Sequence, residues 1–80
     1  MNKINYDNYL YIEGDESGYM SKYATLWETY KALKEIKEFD KRQGIKDTYH
    51  IMWVCKGVER EIKITKRKEK LYWKKVNNNV

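Results

Sequence analysis

The residues able to do covalent or metal chemistry are few. His50 and Cys55 are the sole histidine and cysteine. Five positions apart in an alternating stretch, they project to opposite faces of one strand, which argues against a Cys-His dyad. No second Cys or His stands at zinc-ligand spacing, and no glycine-rich loop precedes a helix to cradle a phosphate. Glu13, Asp15 and Glu16 form the one acidic cluster, ordinarily a solvated loop and at most a weak divalent-cation site. The expectation is a protein that is not an enzyme and holds no metal or cofactor.

Binding chemistry has more material. Lys63, Lys66, Arg67, Lys68 and Lys70 concentrate positive charge in eight residues, with Lys74 close behind. Such a run suits phosphates, and Trp53 or Tyr72 would offer rings on which bases stack. Lysine is a hydrated point charge without arginine's planar fork, so backbone attraction is expected over base-specific readout. The competing reading is that these lysines guard exposed turns and sheet edges against self-pairing. Trp27 shares a helix flank with Lys34 and Lys41, and Tyr19 and Tyr23 lie just before it. Trp and Tyr are favoured interface anchors, which gives a candidate protein-binding surface of Tyr19, Tyr23, Trp27, Lys34 and Lys41. The plainer alternative makes Trp27 a rim residue of the core.

Elements must position these groups, and the chain is short. Eighty residues make one small domain with a single core. A hydrophobic content of 41% with 15% aromatic residues argues against disorder, and no apolar run approaches the length of a membrane span. Lys and Arg number 17 against 12 Asp and Glu, a net charge of +5 that favours anionic partners. The opening residues Met1 to Asp7 contain no apolar signal core, and a lone cysteine cannot form an internal disulfide, so a bacterial cytoplasm is the expected location. Fourteen Lys to three Arg, abundant Asn, Ile and Tyr, and no Pro match an AT-rich genome.

Uneven alternation from Lys3 to Gly14 predicts a strand, and Asp15-Glu16-Ser17-Gly18 a loop. Thr25-Leu26-Trp27-Glu28 fits a capping box that opens a helix over about residues 26 to 42, closed by Gly44. Leu26, Thr29, Tyr30, Ala32, Leu33, Ile36 and Phe39 form its apolar stripe. Alternation then predicts strands over 47–55, 60–66 and 70–76, joined by turns at 56–59 and 67–69. The expected fold is α+β: one amphipathic helix on one face of a four-stranded, mainly antiparallel sheet in the order β-α-β-β-β. Residues 1–76 form the domain and 77–80 a frayed tail. The far sheet face is left for water, a second copy or a partner.

The segments Tyr23-Ala24-Thr25-Leu26-Trp27-Glu28 and Ala32-Leu33-Lys34-Glu35-Ile36-Lys37-Glu38-Phe39-Asp40 resemble the strand-loop-helix text of small accessory proteins in phages and mobile elements of AT-rich bacteria. The resemblance carries no catalytic motif. It implies a small binder that inhibits or modulates a host or defence protein or nucleoprotein, in the manner of anti-CRISPR proteins. Many such inhibitors are acidic mimics of nucleic acid, whereas this chain is basic. Two further readings stand beside it: a DNA- or RNA-binding domain built on a basic hairpin and an aromatic sheet face, and a structural homodimer that covers the open face.

Overall fold

A computed structural model describes residues 3–78, with side chains through residue 74. It contains β1 (Asn8–Gly14), β2 (Met20–Tyr23), α1 (Leu26–Gln43), β3 (Tyr49–Cys55), β4 (Val58–Ile62) and α2 (Lys66–Asn78). The four strands form one sheet in the order β2-β1-β3-β4, antiparallel throughout. The α+β class, the four antiparallel strands and the long helix packed on them are as the sequence leads one to expect.

Local chemistry explains the long helix. Thr25 has extended backbone and its hydroxyl accepts the Glu28 N–H at 3.1 Å, while the Glu28 carboxylate accepts the Ala24 N–H at 3.4 Å. At the other end Gly44 takes φ 70, and the N–H groups of Gly44 and Ile45 return to Lys41 and Asp40, the Schellman pattern for satisfying terminal carbonyls. From this helix Tyr30 and Leu33 meet Leu10, Ile12, Tyr49 and Ile51 of the sheet. Leu33, Ile12 and Ile51 are fully buried, each contributing about 1.5–3 kcal/mol from burial. Asp40 is buried too, and its carboxylate accepts the Tyr49 hydroxyl. Burial first, then that hydrogen bond, pushes the Tyr49 phenol up to about 12.

The order of elements differs from β-α-β-β-β in two places. Met20–Tyr23, for which the sequence predicts no element, is a short edge strand paired with Leu10 through Glu13. The β1–β2 turn that places it is held from outside by Asp47, whose carboxylate accepts the N–H groups of Glu16 at 2.8 Å and Ser17 at 3.1 Å. Gly14 is required there, because a Cβ would lie 2.5 Å from Ser17 Oγ and 2.7 Å from Asp47 Oδ2.

The expected strand over 70–76 is corrected to part of α2, and no hairpin exists at 67–69. Thr65 caps this helix, its hydroxyl accepting the Lys68 N–H at 3.1 Å. Lys, Arg, Glu and Leu are good helix formers, and Arg67-Lys68-Glu69 lacks the Gly or Asn that a tight hairpin needs at positive φ. The true hairpin turn is Lys56-Gly57, with φ of 49 and 81, and it joins β3 to β4. Of the expected tail, Asn77 and Asn78 belong to α2, and residues 79 and 80 lie outside the described ones.

Candidate functional site

Segment Lys66–Asn78 holds six Lys and Arg against one Glu, which equals the net charge of the whole chain, +5. The rest of the protein is neutral in sum. Lys66, Arg67 and Lys68 occupy the first turn, where the helix dipole is itself positive, so their placement works against helix stability and raises the local potential. Glu69 partly offsets this. Lys66, Arg67, Lys68, Lys70 and Lys74 are all exposed.

Three contacts fasten α2 antiparallel along α1. The Lys37 ammonium meets the Glu69 carboxylate at 2.9 Å. The rings of Tyr30 and Tyr72 stack at 4.8 Å, 10° from parallel. The Trp73 indole N–H donates to the Tyr30 carbonyl at 3.0 Å. Glu69, Tyr72 and Trp73, at helical spacing, thereby form the inner stripe, and the cations fall on either side of it.

Between the helices runs an open groove of about 630 Å³ lined by Lys34, Lys37, Glu38 and Lys41 of α1 and by Lys66, Glu69, Lys70 and Trp73 of α2. Lys34 pairs with Glu38, whose carboxyl is lowered by that hydrogen bond. Lys37 pairs with Glu69 and also sits over the Trp73 ring, 5.7 Å from its centroid. Among the described residues, Lys41, Lys66 and Lys70 meet no carboxylate. The result is a groove with an indole wall and three cations available to an anionic ligand.

This arrangement joins residues that the sequence assigned to different surfaces. Lys34 and Lys41, grouped with Trp27, face Lys66 and Lys70 from the basic run. Trp27 instead lines a separate groove with Tyr23, with the Lys31 ammonium 5.5 Å from its ring. Tyr19 and Tyr23 share a hydroxyl-hydroxyl hydrogen bond of 3.1 Å and pack against the core; burial pushes Tyr23 up to about 12. Trp53 shares the helix-side face with Ile51, and its indole N–H donates to Asn8 Oδ1 at 2.6 Å. Tyr72 is a helix residue stacked on Tyr30, so Trp53 and Tyr72 do not form one sheet platform. Lys63 is exposed in the connection before α2. Trp73, Lys37 and Glu69 are site residues that sequence reasoning passed over. Their signal was the spacing Lys66, Lys70, Trp73, one face of a helix, hidden by reading the segment as a strand.

The opposite sheet face differs in character. No described element covers it, and it bears Tyr9, Tyr11, Glu13, Lys22, His50, Met52, Glu59 and Glu61. The Lys22 ammonium lies 5.2 Å and 5.3 Å from the rings of Tyr6 and Tyr9. Tyr11 donates to Glu59 at 3.0 Å; burial, then this bond, pushes its phenol up to about 12. His50 lies between Asp15 at 3.0 Å and Glu61 at 3.2 Å, and those two hydrogen bonds raise its pKa. The aromatic sheet face expected as a nucleic-acid platform is therefore corrected in charge: carboxylates outnumber cations here. Among the described residues, no group of three or more His, Cys, Asp or Glu is placed to hold a metal ion, and no helix is long and apolar enough to cross a membrane.

Models of protein families, curated proteins and solved structures were compared with the chain, and none matches it.

Proposed function

We propose that this protein is a small, non-enzymatic binding module that engages nucleic-acid backbone through α2. The supporting observation is charge segregation: the whole net charge resides on one terminal helix, with five of its cations exposed. Ordinary solubility needs charge spread over the surface; a single cationic helix instead presents a line of contacts to a polyanion. The acidic sheet face on the other side would turn the molecule so that α2 leads. The test is a titration against labelled DNA and RNA, single- and double-stranded, at low and near-physiological salt. Changing Lys66, Arg67 and Lys68 together to Gln should weaken binding and flatten the salt dependence by roughly 2–3 log units per log unit of salt. An unchanged salt slope would count against α2.

A second reading is an accessory protein of phage or mobile-element type, working in a bacterial cytoplasm, that modulates a host or defence protein or nucleoprotein. What favours it is the uncovered sheet face, where Met20 is 63% exposed, together with the adjoining Tyr6, 70% exposed. Under this reading Tyr6→Ser and Met20→Ser abolish capture of a defined host protein, while the triple Gln variant still captures it. A homodimer closed over the same face would show as a concentration-dependent dimer in sedimentation, and a monomer at every concentration removes it.

A further inference from the structure

We propose that the groove between α1 and α2 takes single-stranded nucleic acid, with one unpaired base stacked on Trp73 and its neighbouring phosphates on Lys41, Lys66 and Lys70. This rests on the reading of α2 as a nucleic-acid-binding element and narrows its ligand. Trp73 is oriented for the task before any ligand arrives. Its only polar atom is satisfied by the Tyr30 carbonyl at 3.0 Å, so the ring is fixed in plane and position and what it offers the groove is a π surface. Trp73 is half-buried and lines the open groove, with the Lys37 ammonium over its ring at 5.7 Å. A face that accepts a cation from solvent is not sealed by apolar packing, and stacking uses the same electron-rich surface. Lys37 is 42% exposed and can move off the ring toward Glu69, its partner at 2.9 Å, as the base enters.

Spacing supplies the rest. Lys66, Lys70 and Trp73 stand at i, i+4 and i+7 on α2, about 1.5 Å of rise per residue. Lys41 and Lys34 stand seven apart on α1, which runs the other way. A strand lying in the groove therefore meets cations on both walls at one end and the indole at the other. In a duplex the bases are stacked inside and cannot reach a ring set between two helices, whereas a single strand can splay a base outward.

The experiment compares an oligo-dT and an oligo-U with a duplex of equal length and with inorganic polyphosphate, which has the charge and no base. The indole N–H signals are followed by NMR on the wild-type protein, with Trp73 identified through Trp73→Phe. Expected are tighter binding of the single strands than of either control, a shift of the Trp73 indole signal on adding oligo-dT, and about a tenfold or greater loss with Trp73→Leu. Should that variant not fold, the indole shift decides alone. Equal binding of single strand, duplex and polyphosphate with an unmoved Trp73 signal overturns the proposal and leaves α2 as a general polyanion site. Absence of binding to every nucleic acid overturns both.

Discussion

Tyr72 lies flat on Tyr30, ring centroids 4.8 Å apart and planes 10° from parallel. Tyr30 is fully buried in α1, so the stack ties the cationic helix to the centre of the core. Tyr72→Ala should cost about 2 kcal/mol through lost stacking and burial. Beyond the lower Tm, far-UV circular dichroism should show a loss of helix equivalent to α2, with nucleic-acid affinity falling alongside it. An unchanged Tm would mean that the stack contributes nothing.

Asp47 gives the fold an acid limit. Hydrogen bonds led by the Glu16 N–H hold its carboxyl at about 2, against an ordinary 3.8. A group with a depressed folded pKa stabilises fully above its unfolded value and loses that contribution as pH falls through the folded one. Stability should therefore decline between about pH 4 and pH 2, and Asp47→Ala should flatten that part of the profile measured by urea denaturation. A parallel profile in the variant would refute the role of Asp47.

His50 acts in the opposite sense. Both ring nitrogens face carboxylates, Asp15 and Glu61, and Glu13 stands opposite in the β1–β3 register. A neutral imidazole donates from one nitrogen only, so the pair of contacts belongs to the imidazolium. The raised pKa means that the contribution is complete below the unfolded value near 6.5 and fades as pH rises through the folded value. His50→Gln should remove the decline in stability that sets in as pH rises past the unfolded value, and NMR titration of the ring should place its midpoint above that of a free histidine.

Lys56 is the one residue other than glycine with positive φ among those described, at 49. The left-handed region costs an ordinary residue roughly 1–2 kcal/mol, and Asn-Gly is the favoured pair for this two-residue turn. Lys56→Asn should raise stability by about 0.5–1 kcal/mol. A lower denaturation midpoint would show that Lys56 makes a compensating contact.

What was legible in the sequence was what local chemistry determines. Thr25, Glu28 and Gly44 mark the ends of α1 because capping is settled within four residues of the chain. The inner face of β3 was not legible, because both parities of Tyr49–Cys55 are apolar or aromatic; the pairing of Ile51 with the buried Ile12 of β1 decides it. The charged run was legible as charge but misassigned as shape: Leu71, Tyr72 and Trp73 in succession satisfy a strand pattern as readily as a helical one. Only the Thr65 hydroxyl and the lack of a turn residue near Lys68 separated the two. β2 was missed because a four-residue edge strand depends on partners elsewhere, here the ladder to β1 and the Asp47 carboxylate across the turn. The groove could not be seen for the same reason. It exists because Tyr72 and Trp73 reach Tyr30, a contact 42 and 43 positions away in the chain.

The outer strand β4 reads Val58-Glu59-Arg60-Glu61-Ile62 at the rim of the sheet. If two copies were to pair edge to edge about a twofold axis, residues facing each other would have to share parity. The register centred on Arg60 sets Arg60 against Arg60 and Glu59 against Glu61. Sliding by one residue in each copy sets Glu59 or Glu61 against itself. The registers centred on Glu59, Arg60 and Glu61 thus oppose carboxylate to carboxylate, and like charges directly opposite destabilise a ladder. Crowding such molecules together leaves this edge repelling its own kind, while a foreign strand with Lys or Arg at alternate positions would find it complementary.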